Sequence, residues 1–200
     1  CILGISWFWL IGATFLAQFP TYAKSVLNGD ETVVTLFLTL FSLGIGVGSV
    51  LCGKLLKGEI SSRHVPFAAA GISLFMLDLY IASDAMVWAG EGFMDAATFL
   101  ENGGWRIALD LTLIALCGGI YIVPLYALMQ HRSDATHRAR IIAANNIMNA
   151  LFMVVSAVAT LGMLKAGLSV PHIFLVIAIL NTAAVFVIRR CMPGRGAGVS

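Results

Sequence analysis

The chain has 200 residues, of which 60% are hydrophobic and only 11% charged. A water-soluble domain carries roughly a quarter charged residues, so this composition points to lipid as the surrounding solvent. A net charge of +2 leaves no case for nucleic-acid binding.

A helix that crosses a bilayer needs about 20 mostly apolar residues, because the hydrocarbon core is about 30 Å thick. Six stretches meet or approach that length. The first, 2–23, and the second, 32–53, contain no charge. The third, 66–83, carries Asp78, and the fourth, 107–130, carries Asp110 near its start. The fifth, 141–164, is again uncharged, and the sixth, 171–188, opens on Pro171, a residue suited to a first helical turn. Transmembrane β-strands would show shorter segments of alternating polarity, and these runs do not alternate. The expected fold is therefore an all-α membrane bundle of six spans over residues 1–190, followed by a short tail or linker, 191–200. The chain opens on Cys1 rather than Met, which predicts a piece of a longer protein, and its first segment lacks the basic leader and cleavage site of a signal peptide.

Lys and Arg set the expected orientation. Lys54, Lys57 and Arg63 follow the second segment, Arg132, Arg138 and Arg140 follow the fourth, and Arg189, Arg190 and Arg195 follow the sixth. Only Lys24, Arg106 and Lys165 fall on the other side. This asymmetry places the basic loops and both chain ends in the cytoplasm. The longest connection, between the third and fourth segments, then lies outside. It bears Asp84, Glu91, Asp95 and Glu101 interleaved with aromatics, and Phe93, Ala97 and Leu100 share a helical face. That face suits either an interfacial turn or an ordinary loop with buried aromatics.

The first segment repeats Phe15, Gln18, Phe19 and Tyr22 at helical spacing, a pattern that marks the membrane interface or lines a pocket for an amphiphile. In the second, Gly44 and Gly48 form a small-xxx-small pair that lets another helix approach closely, as static packing or as a contact that slides. The fourth holds Gly118, Gly119, Tyr121 and Pro124. Pro124 cannot donate to the carbonyl of Ile120, so a bend or an opening toward a cavity is expected there. On the fifth, Asn145 and Asn149 share a face that Arg138 extends, while Asn146 points about 100° away. Such a face serves as interhelical glue or as the polar wall of a substrate path. Asp110 stands one turn after Arg106 and suggests a local ion pair, whereas Asp78, among Leu77, Leu79 and Tyr80, is the acid that marks a functional candidate.

Catalytic patterns are missing: there is no HExxH, GxSxG or P-loop, and His131-Arg-Ser-Asp134 has the wrong spacing for a His-x4-Asp acyltransferase pair. Cys1, Cys52, Cys117 and Cys191 are scattered, which argues against a zinc site or a disulfide framework. No metal or cofactor is expected.

Three stretches, Gly44 to Gly53, Leu74 to Ser83, and Gly118 to Gln130 followed by Arg140 to Ala150, resemble the C-terminal six-helix half of a major facilitator superfamily transporter. The nearest likeness is to bacterial lysophospholipid transporters of the kind fused to an acyltransferase and an acyl-carrier-protein ligase, and it covers nearly the whole chain. The two halves of such a transporter are parallel six-helix repeats. The resemblance implies a cavity lined by the first and fourth segments, lateral and gating contacts through the second and fifth, and a scaffold role for the third and sixth. Asp78 is then an anomaly. Cys52 stands where the superfamily's loop motif has an acid, which puts that motif's latch in doubt. The function implied is movement of lysophospholipid, such as lysophosphatidylethanolamine, to the inner leaflet of a bacterial cytoplasmic membrane. The implied partners are membrane lipid, a missing N-terminal half and fused C-terminal enzyme domains. The alternatives are efflux of a drug or other amphiphile, and a membrane module serving enzyme domains beyond this chain.

Overall fold

The computed structural model describes residues 1–56, 59, 61–90, 92–134 and 136–191. Lys57, Glu91, Arg195 and the expected tail after Cys191 lie outside the described residues, as do the side chains of Arg189 and Arg190.

Long apolar runs that must satisfy every backbone group within themselves become helices. Six long ones form: α1 (Ile2–Thr21), α2 (Glu31–Leu56), α3 (Val65–Ala85), then, after a four-residue α4 (Ala96–Phe99), α5 (Trp105–His131), α6 (Arg138–Lys165) and α7 (Val170–Cys191). Among the described residues five helical stretches are long and apolar enough to cross a membrane, and the described apolar part of α7 adds Val170–Phe186. This is the architecture of a multi-pass α-helical membrane protein. The ends are set by local chemistry. A π turn, Tyr22–Val26, follows Pro20 and closes on Asn28 in the left-handed region. Gly167, at φ +89°, ends α6 with the paired backbone bonds of a Schellman turn, Leu168 N–H to the Met163 carbonyl and Gly167 N–H to that of Leu164.

Long helices successive in the chain alternate in direction. α1 and α6 run parallel, since Ser6 meets Asn149 and Thr14 meets Ser156. α2 and α5 also run parallel, with Gly44 against Thr112 and Cys52 against Ile120. α3 runs against α5, through Gly71 to Cys117 and Asp78 to Arg106, and against α7, through Ser73 to Asn181. One end of the bundle therefore gathers Cys1, Lys54, Arg63, Arg132, Arg138 and Arg140. The other carries Lys24, Asp30, Asp95, Arg106 and Lys165. At this second end the long connection is fastened to the α1–α2 turn by two main-chain hydrogen bonds: Met94 N–H donates to the Asn28 carbonyl at 2.7 Å and Asp30 N–H to the Met94 carbonyl at 2.9 Å.

The core is aromatic. Phe15, Phe19 and Tyr22 of α1 and its π turn pack with Phe37 and Phe41 of α2, Phe174 of α7 and, through Phe37, Phe99, and all of these but Phe41 are fully buried. Phe93, Ala97 and Leu100 are exposed together on the connection between α3 and α5, while Met94 and Phe99 point inward.

Candidate functional site

Every buried residue of α6 is polar: Asn145, Asn149, Ser156 and Thr160. With a residue every 100°, these four fall within an arc of about 60°. The rest of the helix turns Ile147, Leu151, Val154, Val158 and Leu161 outward. That is the inverse of a water-soluble helix and follows from lipid as solvent, where apolar side chains face out and polar ones need a protein partner.

The partner is α1, which buries Ser6, Thr14 and Gln18 along the same seam. The Ser6 hydroxyl donates to Asn149 Oδ1 at 2.9 Å. Thr14 gives its proton to the Leu10 carbonyl, so Ser156 donates to Thr14 across 2.8 Å. Tyr126 of α5 adds a third helix beside the seam, accepting from Trp9 Nε1 at 3.0 Å and meeting Asn149 Nδ2 at the long distance of 3.5 Å. Three polar atoms in the seam find no partner among the described residues: both amide atoms of Asn145, which is fully buried, and Oε1 of Gln18. A buried, unpaired amide is costly, of order 1–3 kcal/mol per group, and such atoms are what a polar ligand or an ordered water would satisfy. Beside Gln18 the seam widens into an open groove of about 600 Å³. Thr14, Gln18, Ser156 and Thr160 supply its polar side, and Leu16, Met153, Leu161 and Leu164 its apolar walls.

The other residues singled out from the sequence are placed differently. Phe15, Phe19 and Tyr22 do not line a cavity in this conformation; they fill the core, because aromatic neighbours on α2 and α7 meet them edge-on and stacked. Gly118 and Gly119 do not open α5. Gly118 makes room for Phe8, and Gly119 lies against the α2 backbone at Ile45, Gly48 and Ser49. α5 is continuous through Pro124, and the Ile120 carbonyl that Pro124 leaves free receives the Cys52 thiol at 3.8 Å rather than a cavity. Tyr121 is anchored by donating its hydroxyl to the Gly4 carbonyl at 3.0 Å. Gly44 and Gly48 sit where α2 touches α5: a Cβ at Gly44 would press on the Thr112 carbonyl and Ala115, and one at Gly48 would collide with the Leu116 carbonyl. Asn145 and Asn149 are buried on one face and Asn146 is exposed.

The two acids exchange the environments expected for them. Arg106 does not pair with Asp110 on its own helix. Its guanidinium reaches across to Asp78 on α3, Nε to Oδ2 at 3.1 Å and Nη2 to Oδ1, with both side chains partly exposed, 40% and 38%. Asp110 is the buried one, 2% exposed, with Oδ2 unpartnered.

Sequence reasoning missed Asn181. Fully enclosed on α7, it accepts from Trp7 Nε1 at 2.9 Å and donates to the Ala69 carbonyl at 2.8 Å and to Ser73 Oγ at 2.9 Å, joining three helices. Its signal was available: a lone amide within an otherwise apolar segment. Comparisons with protein-family models, with curated proteins and with solved structures find no match to this chain.

Proposed function

We propose that the chain is one six-helix half of a major facilitator superfamily transporter and that it carries an amphiphile, a lysophospholipid, along the α1–α6 groove. The observation that carries this reading is the seam itself, a row of buried polar side chains one of whose unsatisfied atoms, Gln18 Oε1, stands at a groove whose other walls are aliphatic. A lysophospholipid has one acyl chain and a large polar head, and the groove offers one surface for each. No charged residue lines it, which suits a headgroup held by hydrogen bonds more than a cationic drug. The helix pairing supports the same reading. α2 and α6, the second and fifth spans, keep long outward apolar faces, Leu43, Val47 and Val50 on one and Leu151, Val154 and Val158 on the other, as helices that meet a second half would. In this proposal the end bearing Lys54, Arg63, Arg132, Arg138 and Arg140 faces the cytoplasm, and the chain works with an N-terminal half and, in a fused protein, supplies lipid to enzyme domains. A catalytic role for the chain itself is not part of the proposal.

The test uses bacterial spheroplasts making the full-length protein. Labelled lysophosphatidylethanolamine added outside should enter and be acylated faster than in cells lacking the protein, and diacyl phospholipid should not move. Gln18→Leu and Thr160→Val, which keep side-chain volume, should lower uptake several-fold at equal protein level. Unchanged lipid uptake together with faster export of a cationic dye would replace the lipid reading by efflux of another amphiphile.

A further inference from the structure

The polar seam between α1 and α6 extends well beyond the groove. Along α6 its members come in the order Asn145, Asn149, Ser156 and Thr160. The first and last stand about 22 Å apart along the helix axis, at about 1.5 Å per residue. That is most of a hydrocarbon core about 30 Å thick. The groove occupies one end of the seam, where Gln18 and Thr160 line it. Asn145 stands outside the groove at the other end, toward Arg138, fully buried and with neither amide atom paired among the described residues. Unsatisfied amide atoms thus mark both ends of one seam. Two hydrogen-bonded rungs lie between them, Thr14 with Ser156 at 2.8 Å and Ser6 with Asn149 at 2.9 Å.

The rungs are built to part. α6 packs chiefly on α1, and its buried residues are all polar, so moving it away uncovers no buried apolar side chain of its own. Interhelical hydrogen bonds are individually weak in a membrane, because each group finds another partner when the first is lost. A polar head that enters between the helices offers each rung a replacement donor or acceptor. Beside the rungs, Ala150, Met153, Ala157 and Leu161 are exposed on one flank of α6, within an arc of about 80°. The last three wall the groove, and Ala150 continues the same apolar flank toward the Asn145 end.

We propose that the seam is a headgroup track. The polar head of a single-chain lipid enters at Gln18 and Thr160, replaces the two rungs in turn and reaches Asn145, while its acyl chain stays outside along the flank from Leu161 to Ala150. Asn145 is then a second head-binding station, nearer the basic end of the bundle. The track rests on the groove as the lipid site and adds to it the route between α1 and α6.

The test locks the seam and follows the head. In the full-length protein in spheroplasts, Thr14→Cys combined with Ser156→Cys puts two thiols where the hydroxyls stand 2.8 Å apart, within reach of a disulfide on oxidation. Uptake of labelled lysophosphatidylethanolamine should fall to that of cells lacking the protein once the disulfide forms, and return on reduction. The unaltered protein should respond to neither treatment. Lysophosphatidylethanolamine with a photoreactive group on its amine gives a second reading. In the unaltered protein it should mark residues around Gln18 and Thr160 and, separately, residues around Asn145, as located by fragment mass spectrometry; in the oxidised variant it should mark only the former. Uptake that persists through the disulfide, or label in the unaltered protein confined to the Gln18 end, would overturn the track and leave the groove reading in place. Neither uptake nor label in the unaltered protein would remove the groove reading and the track with it.

Discussion

The two parallel helix pairs of this bundle are held by opposite means. α2 and α5 touch backbone to backbone through Gly44, Gly48 and Gly119, with the Cys52 thiol filling the one carbonyl that Pro124 leaves open. α1 and α6 touch through hydroxyls and amides, two of the amides incompletely paired. A glycine contact has no alternative partner at the same distance, because any shift loses packing on both sides. A hydroxyl–amide contact can exchange its partner for water or for a ligand headgroup at little cost. The glycine pair is thus suited to remain closed while the polar pair opens.

The largest effect should come from breaking the closed pair. Gly48→Leu drives a side chain into the Leu116 carbonyl and should cost about 3 kcal/mol or more, at the upper end of overpacking, so that little folded protein reaches the membrane. Gly46→Leu, on a position with open space around it, should express normally, as measured by fluorescence-detected size exclusion. Next comes Asn149→Leu, which leaves the Ser6 hydroxyl without its acceptor; a loss of about 1–2 kcal/mol is expected in a denaturant titration, with transport falling further than expression. Asn145→Leu sharpens the comparison because it should act in the opposite sense on stability. Removing two unsatisfied amide atoms should raise stability by about 1 kcal/mol while lowering uptake, and loss of both would show that Asn145 is structural glue. Asn146→Leu, on the exposed face, should change either quantity little, within about 0.5 kcal/mol.

The smallest expected effect concerns the fastened connection between α3 and α5. The Thr98 backbone N–H holds the Asp95 carboxyl below its usual range, and the Thr32 side chain does the same for Asp30. A depressed carboxyl contributes above its unfolded value and loses that contribution as pH falls through the lower folded one. Amide exchange at residues 94–99 should therefore be flat from about pH 8 down to about pH 5, after correction for the intrinsic rate, and rise only below about pH 4. Orientation is checked by cysteine labelling: a cysteine at Ala89 should react with an impermeant maleimide from outside, and one at the exposed Thr136 only after the membrane is opened. External labelling at Thr136 would reverse the proposed orientation.

How much of this was legible in the sequence depends on whether an interaction stays within one helix. Hydropathy locates the helices within a few residues because span length is set by the bilayer. The 100° step per residue separates Asn145 and Asn149 from Asn146, and the four-residue spacing of Gly44 and Gly48 marks a tight face. The same arithmetic would have added Ser156 and Thr160 to the α6 stripe. What failed needed knowledge of a second helix. Asp110 is the natural local partner for Arg106, yet Asp78, 28 residues away, takes the guanidinium. A stripe of Phe15, Phe19 and Tyr22 looks alike whether it meets lipid, a pocket or a core; only the positions of Phe41 and Phe174 decide, and those belong to other segments.

Asn181 bears on how the molecule is assembled. α7 carries an amide that lipid cannot satisfy, and its three partners, Trp7, Ala69 and Ser73, lie on helices made before it. α7 can therefore settle in the bilayer only against an α1 and an α3 that are already side by side. Until they are, the amide favours leaving the hydrocarbon, and an incomplete or misordered bundle exposes α7 to quality control. The hydrogen bonds of Asn181 thus make insertion of α7 conditional on correct docking of α1 and α3.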